Sequence, residues 1–183
     1  MNYYAIQVRT RSENKYLKLF RSRYPEINLP LYFPQRELNI SKSGKNKKTL
    51  YAIFPGYILI EAEYKEDVLS NQWCFQNIKG FFRFLKSNQD ITPLSGHSLD
   101  IVLHFIKRNG QIAGSSKVYF DENSRIVVLE GPLKGLEGKI IKVDKRKCRA
   151  KISLDLYNDS FSIDLAFKVI EPIGGNHVRK SGT

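Results

Sequence analysis

Seven basic residues against a single Asp crowd the thirteen positions from Lys139 to Lys151 (KIIKVDKRKCRAK). Solvated protein faces normally mix both signs, so a run this one-sided suits contact with a polyanion. A second basic group, Lys42, Lys45, Lys47 and Lys48, sits in SKSGKNKK, and Arg9, Arg11 and Lys15 lie near the start. Phosphate contact needs only positive charge within reach and carries no sequence preference. A lysine loop kept for solubility would read the same way. The aromatic residues offer a different chemistry. Phe54 and Tyr57 flank Pro55-Gly56 in FPGYILI, where Pro-Gly inside a strand pattern implies a bulge or bend. Such rings are either core or contact anchors. Three positions apart on a strand they face opposite sides unless the glycine intervenes.

Catalytic chemistry is poorly served. His97, His104 and His177 have no ligand or triad spacing, and Cys74 and Cys148 are too far apart in sequence for a metal pair. His104 reads as a helix-surface residue beside an apolar stripe, and Cys148 as packing on an inward strand row. GPLKGLEG, from Gly131 to Gly138, is glycine-rich but lacks the Gly-Lys-Ser/Thr ending of a phosphate loop. It reads as a tight turn in which Gly131, Gly135 and Gly138 supply positive backbone dihedrals. The expectation is a protein that is not an enzyme and uses no metal or other cofactor.

These residues need a scaffold, and 183 residues at 42% hydrophobic content, with 10 Tyr and 11 Phe, suffice for one or two domains. The net charge of +12 divides into 17 basic against 9 acidic residues over 1–113, and 13 against 9 over 114–183. No apolar run reaches the ~20 residues of a membrane helix, and the N-terminus lacks a signal-peptide layout. A cytoplasmic, monomeric protein free of membrane contact is expected.

Along the first part, Tyr3 to Arg9 reads as a strand, and Ser12 caps a helix whose stripe is Tyr16, Leu17, Phe20 and Tyr24. Leu31–Asn39 and Leu50–Glu61 read as the strands of a long hairpin with a cationic tip. A helix over 66–75, a strand over 82–86 and a helix carrying Leu99, Val102, Leu103 and Ile106 follow, the last capped by Ser98 and stopped by Gly110. The order suggests an antiparallel-containing sheet with helices on one face. Residues 111–117 resemble a flexible linker. Beyond it, strands over 125–130, 138–143 and 161–170 join a segment in which Cys148, Ala150, Ile152, Leu154 and Leu156 alternate with polar residues. That pattern is a small β-barrel with a basic outer row. The fold class is α+β, with domains over 1–110 and 118–172 and a polar tail over 173–183.

YYAIQVRT, FPGYILIE and IKGFFRFL resemble, in order and spacing, the NusG family of transcription elongation factors. VVLEGPLKGLEGKIIKVDKRKCRAKI resembles the KOW motif of that family's C-terminal barrel. The resemblance spans Tyr3 to about Glu171. It implies a NusG-type N-terminal sandwich bound to RNA polymerase at the clamp helices of the largest subunit. Phe54 and Tyr57 match the family's contact rings, and Phe84 matches a further apolar contact. The resemblance also brings Arg9, Arg11, Lys15, Lys42, Lys45, Lys47 and Lys48 within reach of non-template DNA.

In the general NusG factor the barrel binds NusE or Rho through an aromatic followed by Gly-Arg. Here Tyr157 would keep the NusE contact, but Asn158 and Asp159 replace the Gly-Arg, which argues against either partner. The crowded cations instead resemble the LoaP branch of antiterminators, whose barrel recognises an RNA hairpin. Lys142, Lys145, Arg146, Lys147, Arg149 and Lys151 would then face RNA, whose helices are read mostly by shape and backbone. A housekeeping NusG, an RfaH-like regulator with a masked helical state, and a KOW-type ribosome-assembly protein remain the alternatives.

Overall fold

The computed structural model describes residues 1–42, 44–108 and 111–170. The Gly110 helix stop, the tail over 173–183 and the Lys42 side chain lie outside what it describes. A four-stranded antiparallel sheet has the order β2-β5-β1-β6, from β1 (Asn2–Val8), β2 (Leu31–Tyr32), β5 (Tyr57–Ala62) and β6 (Phe81–Phe84). All six residues of β5 are buried, because both faces of this sheet are covered.

Alternation along the strands sends Tyr4, Ile6, Val8, Ile58 and Ile60 to one face. There they meet α1 (Glu13–Arg23), α2 (Lys65–Ser70) and α3 (Gln72–Gln76). The expected stripe on α1 is correct: Tyr16, Leu17 and Phe20 are buried, and Phe20 stacks on Phe75 at 4.5 Å. The single helix expected over 66–75 is two short ones, broken at Asn71, whose amide donates back to the Asp67 carbonyl at 2.8 Å.

The opposite face carries Tyr3, Ala5, Tyr57 and Leu59. Part of its cover is α4 (Gly96–Leu103), which begins after Ser95 rather than at the expected Ser98 and runs on as a π-turn over His104–Arg108. Lys107 in that turn approaches the buried Glu61 at 3.4 Å, and Tyr32 donates its hydroxyl to the same carboxylate. Burial pushes the Glu61 pKa up, but the Tyr32 and Tyr3 hydroxyls and Lys107 more than offset it and hold it below its ordinary value. A depressed folded pKa contributes stability above the unfolded value, lost as pH falls through the folded one. Glu61→Gln should therefore lower Tm at neutral pH and narrow its gap to wild type in acid, as read by thermal melts across pH.

The long hairpin is interrupted twice. Pro34, lacking an N–H, separates β2 from β3 (Gln35–Lys42), and the turn over 53–56 separates β4 (Lys45–Ala52) from β5. The segment expected as a flexible linker is pinned here. β7 (Ile112–Ala113) pairs in parallel with β3, and the hydroxyl of buried Ser116 accepts from the Leu133 N–H at 2.9 Å.

Five further strands follow among the described residues: β8 (Ser116–Phe120), β9 (Ile126–Glu130), β10 (Ile140–Asp144), β11 (Arg149–Leu156) and β12 (Asp159–Val169). Their order, β10-β11-β12-β8-β9, does not close by hydrogen bonding among the described residues, so the barrel is open. Period 2 holds along β11: Ala150, Ile152, Leu154 and Leu156 are fully buried and their neighbours half-buried. No described helix is long and apolar enough to cross a membrane.

The barrel sits on the second face of the first sheet. One apolar cluster contains Phe54 and Tyr57, Val102 and Phe105 of the α4 region, and Leu154, Leu156 and Ile163 of the barrel. Two domains are expected to meet across polar surfaces unless the interface is built like a core. This one is.

Candidate functional site

The FPGY segment is a turn, not a strand. The Tyr57 N–H donates to the Phe54 carbonyl at 3.1 Å, and Gly56 has φ +84°. The turn cancels the strand alternation, so both rings point to the same face. Gly56 is locked on both sides: its N–H donates to the buried Glu13 carboxylate at 2.8 Å, and its carbonyl accepts from the Val8 N–H at 2.8 Å. A Cβ there would lie 2.9 Å from Thr10 Oγ1 and 3.2 Å from the Val8 carbonyl oxygen. Gly56→Ala should cost about 1–3 kcal/mol, from positive φ and crowding together. A urea melt checks this: the midpoint falls with the slope unchanged.

Phe54 and Tyr57 are 1% and 2% exposed because the barrel covers them. Phe161 of β12 stands edge-on to both, with centroids 6.0 Å from Phe54 and 5.9 Å from Tyr57. The Tyr57 hydroxyl donates to the Asp159 carboxylate, and burial together with that bond pushes the phenol pKa well up. Phe84, expected alongside these rings, is not with them. It lies fully buried on the helix face of the sheet, 5.8 Å from Phe75 and 5.6 Å from Phe81. It has no exposed surface for a contact.

The tip of the β11–β12 hairpin fastens the barrel down. Tyr157 has φ +55°, in the left-handed region that costs a bulky residue about 1–2 kcal/mol. Its N–H donates to Ser98 Oγ at 3.0 Å, its hydroxyl to the Pro93 carbonyl at 3.2 Å, and Lys86 lies over its ring. The aromatic kept from the aromatic-Gly-Arg pattern is thus engaged within the chain, as is Asp159 through Tyr57. Asp159, which the sequence offers only as the loss of a partner contact, and Phe161, which it does not single out, form the other half of this latch.

The cationic ridge lies on β10, β11 and the turn between them. Asp144 Oδ1 accepts from the Lys147 N–H at 2.9 Å; that bond, with Lys147, Arg146 and Lys142 close by, holds its carboxyl below the usual range. The Lys145-Arg146-Lys147 turn is exposed, and Lys145 lies 4.1 Å above the Phe120 ring. Lys142 is exposed, whereas Arg149 and Lys151 are half-buried. Lys142, Lys147, Arg149 and Lys151 share a polar cavity of about 160 Å3 with Asp144 and Asp164. Arg149 leaves the ridge and donates to the Asn39 carbonyl of β3 at 2.5 Å.

The N-terminal cations are dispersed. Arg9, Arg11 and Lys15 are exposed, as are Lys45, Lys47 and Lys48, the last paired with Glu37 at 2.9 Å. Of the tip lysines, Lys45, Lys47 and Lys48 stand on β4 and Lys42 ends β3, rather than on a loop. Arg11 and Asn14 line a cavity of about 410 Å3 with Arg36 and Tyr51. Arg36 was not an expected site residue. Burial lowers its pKa to about 10 against the opposing pull of Asp164.

His104 is buried, not on a helix surface: its Nε2 lies 2.8 Å from the Pro132 carbonyl, clamping α4 to the glycine-rich loop. Within that loop Gly131 and Gly135 have positive φ, as expected, but Gly138 does not. Cys148 precedes β11 at φ +50° and packs against the core edge rather than on the inward row. Among the described residues no cluster of His, Cys, Asp and Glu could hold a metal.

Comparison with known proteins agrees with this architecture. Residues 1–103 match the family model described as transcription termination factor nusG, and residues 122–155 match the KOW motif. The transcription termination/antitermination protein NusG of Helicobacter pylori (strain ATCC 700392 / 26695) is 26% identical over 182 residues, covering 94% of this chain and 99% of that one. The protein of the same name from Bacillus subtilis (strain 168) is 24% identical over 177 residues, covering 94% and 98%. A solved structure described as domain interaction in Thermotoga maritima NusG superposes with a TM-score of 0.51 at 12% identity, over 90% of this chain and 93% of that one, a likeness of fold. With more than half of the chain matched by the nusG model and a KOW motif behind it, the chain belongs to the NusG family of transcription termination/antitermination factors and is not an enzyme.

Proposed function

We propose that this NusG-type factor is a specialised antiterminator of the LoaP kind. Its N-terminal domain, over 1–110, binds RNA polymerase at the clamp helices through the Phe54–Tyr57 face. Its KOW barrel, over 118–172, holds an RNA hairpin on the cationic ridge, and together they suppress pausing and termination in the cytoplasm. Lys45, Lys47 and Lys48, with Arg9, Arg11 and Lys15, lie toward non-template DNA. The observation that carries the reading is the exposed Lys145-Arg146-Lys147 turn, kept in shape by Asp144, on a barrel whose Tyr157 tip is engaged elsewhere. That engaged tip disfavours the rival general factor that couples polymerase to NusE or Rho. The aromatic face leaves a ribosome-assembly role without a use for Phe54 and Tyr57.

Phe54→Ala with Tyr57→Ala tests the polymerase face. Both rings also hold the barrel down, so their removal loosens the closed form. If they are anchors, co-sedimentation of the full chain with polymerase falls despite the loosening. Increased co-sedimentation would show them to be a latch alone, and the anchor reading would be withdrawn.

A further inference from the structure

We infer that the cavity between the start of α1 and the β3–β4 hairpin is a binding site for a free adenine nucleotide. This adds a small-molecule ligand to the reading above and does not depend on it. The cavity holds about 410 Å3, within the ~300–1,000 Å3 of small-molecule sites. Two guanidiniums line it, those of Arg11 and Arg36. The acid in the lining, Glu13, is buried and already accepts the Gly56 N–H at 2.8 Å. The lining is therefore net cationic.

Arg36 carries a charge that the fold leaves unneutralised. The side chain is half-buried and makes no ion pair among the described residues. Its Nη1 donates to the Ala52 carbonyl, and its Nε is buried without a partner among them. Burial lowers its pKa to about 10, as it does for a cation short of compensating contacts. An anion seated beside it gains a charge-assisted bond, roughly twice as strong as a neutral one. Arg11 supplies the second cation from a backbone at φ +65°. Bulky residues adopt that left-handed conformation at a cost, and such strain clusters at ligand clamps.

The rest of the lining selects the body of the ligand. Phe33, Leu50 and Pro55 are apolar, and Tyr51 is 39% exposed with Arg36 over its ring at 5.7 Å. A base stacks on such a ring through its π-face. The carboxamides of Asn14 and Gln35 choose among bases, because an amide pairs its acceptor and donor with N6 and N7 of adenine. A strand suits the lining less well, since single-stranded sites need a cationic groove that tracks the backbone. Here the nearby Lys48 is paired with Glu37 at 2.9 Å, and Arg9 and Lys15 stand outside the lining. Pro55 is part of the Gly56 turn and Glu13 holds that turn, so a nucleotide in the cavity packs against it and reduces its freedom.

Calorimetric titration of the full chain with AMP tests the site, with hydrogen exchange at the Gly56 amide read in parallel. Saturable binding is expected, weakened about tenfold or more by Tyr51→Leu, through lost stacking, and by Arg36→Gln, through the lost charge. Asn14→Ala should weaken it severalfold. Charge reversal of Lys145, Arg146 and Lys147 should leave AMP affinity unchanged, and AMP should slow exchange at Gly56. Tyr51 and Asn14 are exposed, so their variants report on the site even where Arg36→Gln disturbs the fold. No AMP binding, or wild-type affinity in Tyr51→Leu and Asn14→Ala, overturns the inference. Inorganic phosphate bound as tightly as AMP overturns the nucleotide, and GMP bound as tightly overturns the choice of base. An adenine oligonucleotide bound far more tightly through the same residues overturns the free ligand. Binding with exchange at Gly56 unchanged overturns the link to the turn.

Discussion

Phe161→Ala is expected to undock the barrel. The half-buried ring makes edge contacts with both Phe54 and Tyr57, against the apolar cluster shared by the two halves of the chain. Truncating a fully buried Phe costs about 3–5 kcal/mol, since the cavity adds to the lost transfer free energy, and this half-buried ring about half of that. A loss of about 2 kcal/mol shifts a docking equilibrium roughly thirtyfold. The radius of gyration in solution scattering should rise, and polymerase co-sedimentation should strengthen as the aromatic face becomes free. Phe161 also lies over the end of the barrel core, so far-UV circular dichroism should show the β content retained. Asp159→Ala is the milder counterpart: it strands the Tyr57 hydroxyl without touching the core, worth about 1–3 kcal/mol. An unchanged radius and unchanged polymerase binding in both variants would mean that the docked form does not limit access to that face.

Charge reversal of Lys145, Arg146 and Lys147 to Glu should abolish RNA binding and RNA-dependent terminator readthrough. Three phosphate contacts become three repulsions, which should weaken binding by at least about 100-fold at moderate salt. The salt slope should become shallower by about 2–3, because each lost phosphate contact removes close to one unit. The fold is expected to survive: all three side chains are exposed, and the Lys145–Phe120 contact is worth only about 0.5–1 kcal/mol. Anisotropy titrations across salt and a readthrough assay check the two halves. Readthrough equal to wild type would remove the ridge from the mechanism.

Much of the architecture was legible where one local pattern decided the outcome. Period 2 along β11 and the α1 stripe buried the residues they were expected to bury, Cys148 before β11 excepted, since burial acts residue by residue on a regular repeat. The extended strands over 31–39 and 50–61 failed at Pro34 and at 53–56, where backbone chemistry overrides side-chain pattern. Phe54 and Tyr57 emerged as candidates together, yet only the Gly56 turn places them on one face. The latch was not legible. Asp159 and Phe161 matter through contacts with residues about a hundred positions earlier, and no periodicity within β12 encodes that. His104 was misjudged for the same reason, because its partner Pro132 comes from a distant segment, whereas Phe84 is packed on the helix face against nearby Phe75 and Phe81. Asn158-Asp159, read as the loss of a partner contact, was the one available hint that the tip serves another purpose.

The apolar cluster continuous between the first sheet and the barrel has a consequence for time courses. Uncovering the aromatic face means parting a packed core, a slower event than diffusional encounter. Capture by a partner of that face should then become independent of partner concentration once encounters outpace opening. The plateau rate would report the opening step directly. In the cell, such a factor would respond with a delay set by its own structure rather than by its abundance.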